Sequence, residues 1–419
     1  MNKKIIALVG IILIAAIVGI SAYRAGMKAS KPQLPPHTVA LNSGETSNEV
    51  FGQYYPREYD SYLKNYDMSQ GPSVYGGSHE KSNLDVYPYM KILWKGYGFA
   101  EEYLEDRGHV YAIEDVKKTK RNPPRAVCWV CKSTEIPQAI EEMGDAFYGM
   151  PFKEAAERFV NPIGCSDCHD PETMNLRITR PALVEALEEQ GINVAKAGLQ
   201  EMRSYVCAQC HVEYYFETDN FVPVFPWKNG MDPEDVYEYY QEINFADFTH
   251  PDAGTRLLKG QHPDFEMFTD GPHQSRGVSC ADCHMPYIVE GNTKISSHWW
   301  ASPLKQMENS CGVCHRGSMD DLRDRVLYTQ DRNKDLLDRA GQASVEAVRA
   351  ITVASESATV DEQLLAEARA LHREGQWYWD WVSAENSMGF HNPQKAMNTL
   401  GKSIDLSGKA RDLAKEAAR

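Results

Sequence analysis

The sequence predicts a mainly α fold with a loop-rich N-terminal half, a middle built around covalent cofactors, and long C-terminal helices. Three observations carry that prediction. All ten cysteines fall into five Cys-x-x-Cys pairs. The segment after Arg316 has no cysteine and is rich in Ala, Leu, Glu, Arg and Lys. Strand-like alternation is confined to a short piece near Phe221 to Phe225.

The pairs are Cys165/Cys168 before His169, Cys207/Cys210 before His211, Cys280/Cys283 before His284, Cys311/Cys314 before His315, and Cys128/Cys131 before Lys132. Two thiols one helical turn apart reach the two vinyl groups of a haem, and the next side chain lies under the iron. The expectation is five closely packed haem c groups in a multihaem cytochrome c. Zinc does not require the histidine or lysine that follows each pair. Cysteines two apart pair poorly with each other, and a chain of 419 residues needs no disulfide staples.

Lys132 is the informative departure. A free amine has a reference pKa of about 10.4 and ligates only if the metal holds it deprotonated. An electron carrier gains nothing from that cost, whereas an iron with an open face can do substrate chemistry. Of thirteen histidines, four follow a pair; His37, His79, His109, His250, His262, His273, His298, His372 and His391 remain. Four of these would complete four six-coordinate haems. Spacing alone does not say which.

In chain order, Lys3 and Lys4 precede an uncharged apolar run from Ile5 through Tyr23, closed by Arg24. It reads as an export signal over 1–30, and its length favours a retained membrane anchor over a cleaved peptide. Residues 31–419 are expected to form one domain, because the haem-binding core at 100–316 must keep its groups close enough to exchange electrons. Prolines punctuate 31–127, leaving short helical pieces such as Tyr87 to Trp94. Pro181 opens a helix through about Val206, interrupted at Gly191, and Asp232-Pro233 opens another through about Ile243. From 317 to 419 the expectation is long helices, with Leu322/Val326, Val345/Val348 and Leu364/Ala368/Leu371 on apolar faces and Trp377, Trp379 and Trp381 at the end of the last long one.

A net charge of −15 argues against nucleic acid as a partner, while local field rather than net charge governs anion entry to a site. There is no Gly-rich phosphate loop and no dinucleotide fingerprint, so electrons must come from another redox protein.

Beyond the haem motifs stand Cys-Trp-Val-Cys-Lys at 128–132, Arg107-Gly108-His109, the run from Cys207 to Phe216, Lys-Gly-Gln-His-Pro at 259–263 and Gly-Phe-His-Asn-Pro at 389–393. Through these residues the chain resembles the ammonia-forming cytochrome c nitrite reductases from about Tyr54 to its C-terminus. It implies distal ligands His298, His109, His391 and His273 for the haems on Cys165/Cys168, Cys207/Cys210, Cys280/Cys283 and Cys311/Cys314. It also implies a catalytic set of Arg121, Tyr214 and His262 over the Lys132 haem. Arg121 would bind the oxyanion, and His262 and Tyr214 would donate protons or hydrogen bonds. A calcium ion is implied on the side chains of Glu213 and Gln261 and the carbonyls of Tyr214 and Lys259, a hard-oxygen set. The same resemblance implies nitrite as substrate, the periplasm as compartment, a homodimer through the C-terminal helices, and a membrane-bound multihaem quinol dehydrogenase or a soluble cytochrome as donor. A carrier without catalysis, its five irons all six-coordinate, is the competing reading.

Overall fold

Three helices dominate the C-terminal third: Met319–Ser355, Glu362–Ala384 and Pro393–Ala417. Side-chain caps start each one. Ser318 accepts from the Asp320 and Asp321 amides, Asp361 from Gln363 and Leu364, and Asn392 from Lys395. Their apolar stripes meet, burying Val345, Val348 and Ile351 with Leu365, Ala368, Leu400 and Ala414. Small residues allow close approach, and Ser403 Oγ donates to the Gly375 carbonyl at 2.6 Å. The three tryptophans lie on the penultimate helix rather than the last, since the chain turns at Gly389 and forms one more helix from Pro393. All three are fully buried, and Trp379 packs on Trp94 and Tyr89.

The computed structural model describes residues 39–76, 79–105, 107–121 and 125–419, and Leu41–Arg419 form one unit. The expected export and anchor segment at 1–30 lies outside the described residues. Among those described, no helix is long and apolar enough to cross a membrane.

The helix opened by Pro181 ends at Glu189, and after a short 3₁₀ turn at Val194–Lys196 a second helix, Leu199–Ala208, runs into the Cys207 motif. Asp232 caps Pro233–Glu242 as expected. The piece expected over Tyr87 to Trp94 is helical only at Met90–Leu93. Among the described residues there are three antiparallel hairpins: β1 (Tyr215–Phe216) with β2 (Pro223–Val224), β3 (Phe248–Thr249) with β4 (Arg256–Leu257), and β5 (Tyr287–Glu290) with β6 (Thr293–Ser296). β2 falls within the expected strand piece. The β5–β6 hairpin, which returns the chain from the Cys283 motif towards His298, is too short to signal itself by alternation.

Apolar packing is divided into clusters around the C-terminal helices, around Trp129, around Trp227 and around Leu304. Between them runs a cavity of about 2340 Å³.

Candidate haem-lined active site

All ten motif cysteines and the five residues that follow the pairs line this one cavity. Small-molecule sites occupy about 300–1,000 Å³, so this space suits several large groups rather than one.

The histidines are already paired across it. Ring centres lie 5.8 Å apart for His109 and His211, 6.2 Å for His169 and His298, 6.3 Å for His273 and His315, and 6.4 Å for His284 and His391. An iron bonded to two imidazole nitrogens at about 2 Å each holds the ring centres roughly 6 Å apart. The residues therefore fit haem iron, and each pair unites a motif histidine with the distal histidine that the family resemblance implies.

Local hydrogen bonds orient these ligands. Nδ1 of His169 meets the Met174 carbonyl at 2.8 Å, that of His284 the Ala301 carbonyl at 3.2 Å, and that of His298 the Ser296 carbonyl at 2.9 Å. Donation from Nδ1 leaves the Nε2 lone pair for metal. Burial pushes His169, His273 and His284 below the usual histidine range, and His298 and His391 to about 4. The rings are thus neutral, the state that coordinates metal.

Backbone geometry explains two of the matching motifs. Gly108 has φ +112, which turns the chain to present His109, and Arg107 braces that turn through Glu114 and Asp115. Gly271 packs so tightly that a Cβ there would lie 2.7 Å from the His391 carbonyl oxygen, so one glycine lets the His273 and His391 segments touch.

The Lys132 motif is held differently. Trp129 is fully buried and stacked on Phe152 at 5.0 Å. Arg180, 2% exposed, donates to the carbonyls of Val130 and Ser133 on either side of the Cys131–Lys132 pair and forms an ion pair with Asp167 of the next motif. Gln209 continues the tie, bonding Thr179 and the Asp167 carbonyl. Arg180 did not stand out in the sequence, because it belongs to no spacing pattern.

Arg121, Tyr214 and His262 all line the cavity with Lys132. The Arg121 guanidinium lies over the Phe99 ring at 4.3 Å and interacts electrostatically with Tyr214 and Cys128, while His262 does so with Cys131. Burial pushes the Tyr214 phenol well above its usual range, with Cys131 and Cys128 adding to the effect, so it retains its proton. Arg125 lines the same space, as does Arg180 with its partner Asp167. His262 places Nε2 2.9 Å from Nδ1 of His211, 3.1 Å from Asp264 Oδ2 and 3.1 Å from the Asn386 side-chain amide. Burial opposes the Asp264 charge, but His262 and His211 outweigh it and hold the carboxyl well below its usual range. His250 and His372 sit elsewhere, buried against the Ile92 carbonyl and the Thr255 hydroxyl.

Three residues of the implied calcium set, Glu213, Lys259 and Gln261, also converge. Glu213, fully buried, accepts from the Tyr240 hydroxyl at 2.9 Å and from the Gln261 amide, and the Gln261 side chain meets the Lys259 carbonyl at 3.0 Å. The Glu213 amide donates to Glu266, a second buried carboxylate whose Oε2 has no hydrogen-bond partner. Burial raises both carboxyls, Glu266 to about 8. Such a concentration of buried oxygen and negative charge suits a hard cation.

Comparison with known proteins identifies the family. The family model described as cytochrome c552 matches residues 47–419. A cytochrome c-552 of Parabacteroides distasonis is 43% identical over 88% of this chain and 76% of its own length. The cytochrome c nitrite reductase subunit NrfA of Nitratidesulfovibrio vulgaris is 41% identical over 96% of this chain and 85% of its own. Among solved structures, the cytochrome c nitrite reductase of Desulfovibrio desulfuricans ATCC 27774, whose catalytic subunit has two calcium sites, superposes with a TM-score of 0.86 at 41% identity, covering 91% of this chain and 88% of that one. The chain belongs to the cytochrome c552 family, among the cytochrome c nitrite reductases.

Proposed function

We infer that this protein reduces nitrite to ammonium at the Lys132 haem, with four bis-histidine haems relaying the electrons. The observation that carries the reading is the contrast inside one cavity. Four motif histidines each face a second imidazole at iron-bridging distance, while Arg121, Tyr214 and His262 interact electrostatically with Cys128 or Cys131 of the Lys132 motif. The relatives named above support the same reaction.

Bound haem would supply electrons and an open iron face for the nitrogen oxyanion, with Lys132 and the four histidine pairs as protein ligands. The chain's own residues do the rest. Arg121 offers a cation that does not titrate away, suited to an anion and to the negative charge that builds on it. Tyr214 keeps its phenolic proton for donation, and His262 supplies a second exchangeable proton close to neutral pH. Each nitrite consumes eight protons and six electrons, so proton donors and electron relay are both required.

The reading includes five haem c groups on the five motifs and calcium on Glu213, Tyr214, Lys259 and Gln261. That ion would join the Tyr214 segment to the His262 segment and add positive charge near the anion. The reading also includes a periplasmic location, a homodimer through the C-terminal helices and a membrane-bound multihaem quinol dehydrogenase as donor. Its test is anaerobic turnover of the haem-loaded protein with reduced methyl viologen and nitrite. Six electrons consumed per ammonium formed is the expected result. No turnover would move the protein to the electron-carrier class.

A further inference from the structure

Asp264 begins the short helix Asp264–Phe268 and is 7% exposed. Its Oδ2 lies 2.9 Å from Nδ1 of His211 and 3.1 Å from Nε2 of His262, so one oxygen faces two imidazoles. Its Oδ1 accepts the Asn386 amide at 2.7 Å and stands 4.0 Å from Nδ1 of His391. Among the described residues its ion-pair partners are all histidines, so its charge is directed at these rings.

A metal-bound histidine commonly donates its second ring N–H to a carboxylate, which orients the ring and raises its basicity. The unusual feature is that the same oxygen also faces His262. His262 Nε2 also lies 2.9 Å from His211 Nδ1 and takes the Asn386 side-chain amide at 3.1 Å, so Asp264 Oδ2 and His262 Nε2 compete as acceptors for the single Nδ1–H of His211, and each hydrogen bond is weaker than it would be alone. We propose that Asp264 is a shared positioning residue: it sets the donor strength of His211 through an N–H that His262 also contacts, coupling the proton-donating histidine to the adjacent electron-relay haem. This rests on the functional reading above for the haem on His211 and the role of His262.

The coupling predicts shifts of opposite sign at one haem. Asp264→Asn removes the negative charge behind His211, makes it a poorer donor, and shifts that haem's potential upward. His262→Ala removes the competing acceptor, strengthens the remaining bond from His211 to Asp264, and shifts the same potential downward. Both variants, checked for full haem content, would be titrated by visible and electron paramagnetic resonance spectroscopy beside the parent and Asp264→Glu. The expected result is one bis-histidine haem moving up in Asp264→Asn and down in His262→Ala, with Asp264→Glu closer to the parent. Unchanged potentials in both loaded variants, or shifts of the same sign, would overturn the proposal. If Asp264→Asn fails to load haem, His262→Ala decides alone: a downward shift supports the coupling and no shift overturns it. Failure of parent turnover would instead refute the nitrite reading, which is a separate outcome.

Discussion

Removing the Asp380 carboxylate should destabilise the protein through a single buried charge. Lys259 and Asp380 side chains are 1% and 0% exposed, with Nζ 3.0 Å and 3.2 Å from the two carboxylate oxygens. Around the ammonium stand the rings of Trp94, Phe99 and Tyr103, at 5.1, 5.0 and 5.3 Å. Asp380 also accepts from the Gly260 amide, which fixes the chain just before Gln261 and His262. Breaking a buried ion pair from one side costs about 3–5 kcal/mol. The amide oxygen of Asp380→Asn would still accept one N–H, recovering on the order of 1 kcal/mol, so a net loss of about 3 kcal/mol is expected. At roughly 1–2 °C per kcal/mol for a chain larger than the usual calibration set, the Tm should fall by roughly 3 to 6 °C. Thermal melts of haem-loaded protein would measure it. The double variant Lys259→Met with Asp380→Leu should recover most of the loss, because apolar replacement of a buried pair is close to neutral. A single-variant Tm within about 1 °C of the parent, or a double variant equal to the sum of the two single variants, would refute the reasoning.

Acid sensitivity should trace partly to His372, fully buried, with Nδ1 on Thr255 and its pKa pushed down to about 3 first by burial and then by His250. Because the folded pKa lies below the unfolded value of about 6.5, its contribution is complete above pH 6.5 and is lost as pH falls from there towards 3. By pH 5 the loss is about 2 kcal/mol, and His372→Gln should flatten the melting profile between pH 6.5 and 5; an unchanged slope would refute this. Gly271→Ala should cost about 1–3 kcal/mol and disturb the low-spin signals of both haems whose distal ligands flank it, since its Cβ would meet the backbone oxygens of His391 and Phe268 at 2.7 and 2.8 Å. Lys132→His should retain haem but lower nitrite turnover by about tenfold or more, and an undiminished kcat would remove the special role of the lysine. Chelation of calcium should lower both Tm and turnover, with recovery on adding calcium back, because the ion binds the folded site and burial otherwise favours the uncharged form of Glu213; insensitivity to chelator would exclude the site.

The haem motifs were legible in the sequence because their chemistry is local. Two thiols and a ligand on one helical turn need no knowledge of the fold, and Lys132 announces itself as an exception within five adjacent residues. Helix starts at Pro181 and Asp232 were similarly exposed by an acidic residue and proline that act within one turn. The boundary between the second and third long helices was not, since the turn at Gly389 and the burial of Trp377, Trp379 and Trp381 are set by packing against Trp94 and Tyr89 from far upstream. Ring pairing across the cavity depends on contacts such as the Ser61 hydroxyl on the His298 amide and the close fit at Gly271. The same holds for Asp264, Arg180 and Asp380. Each is an ordinary charged residue in the chain, and only tertiary structure, by removing water and setting specific partners at hydrogen-bond distance, gives it the energy to position the site.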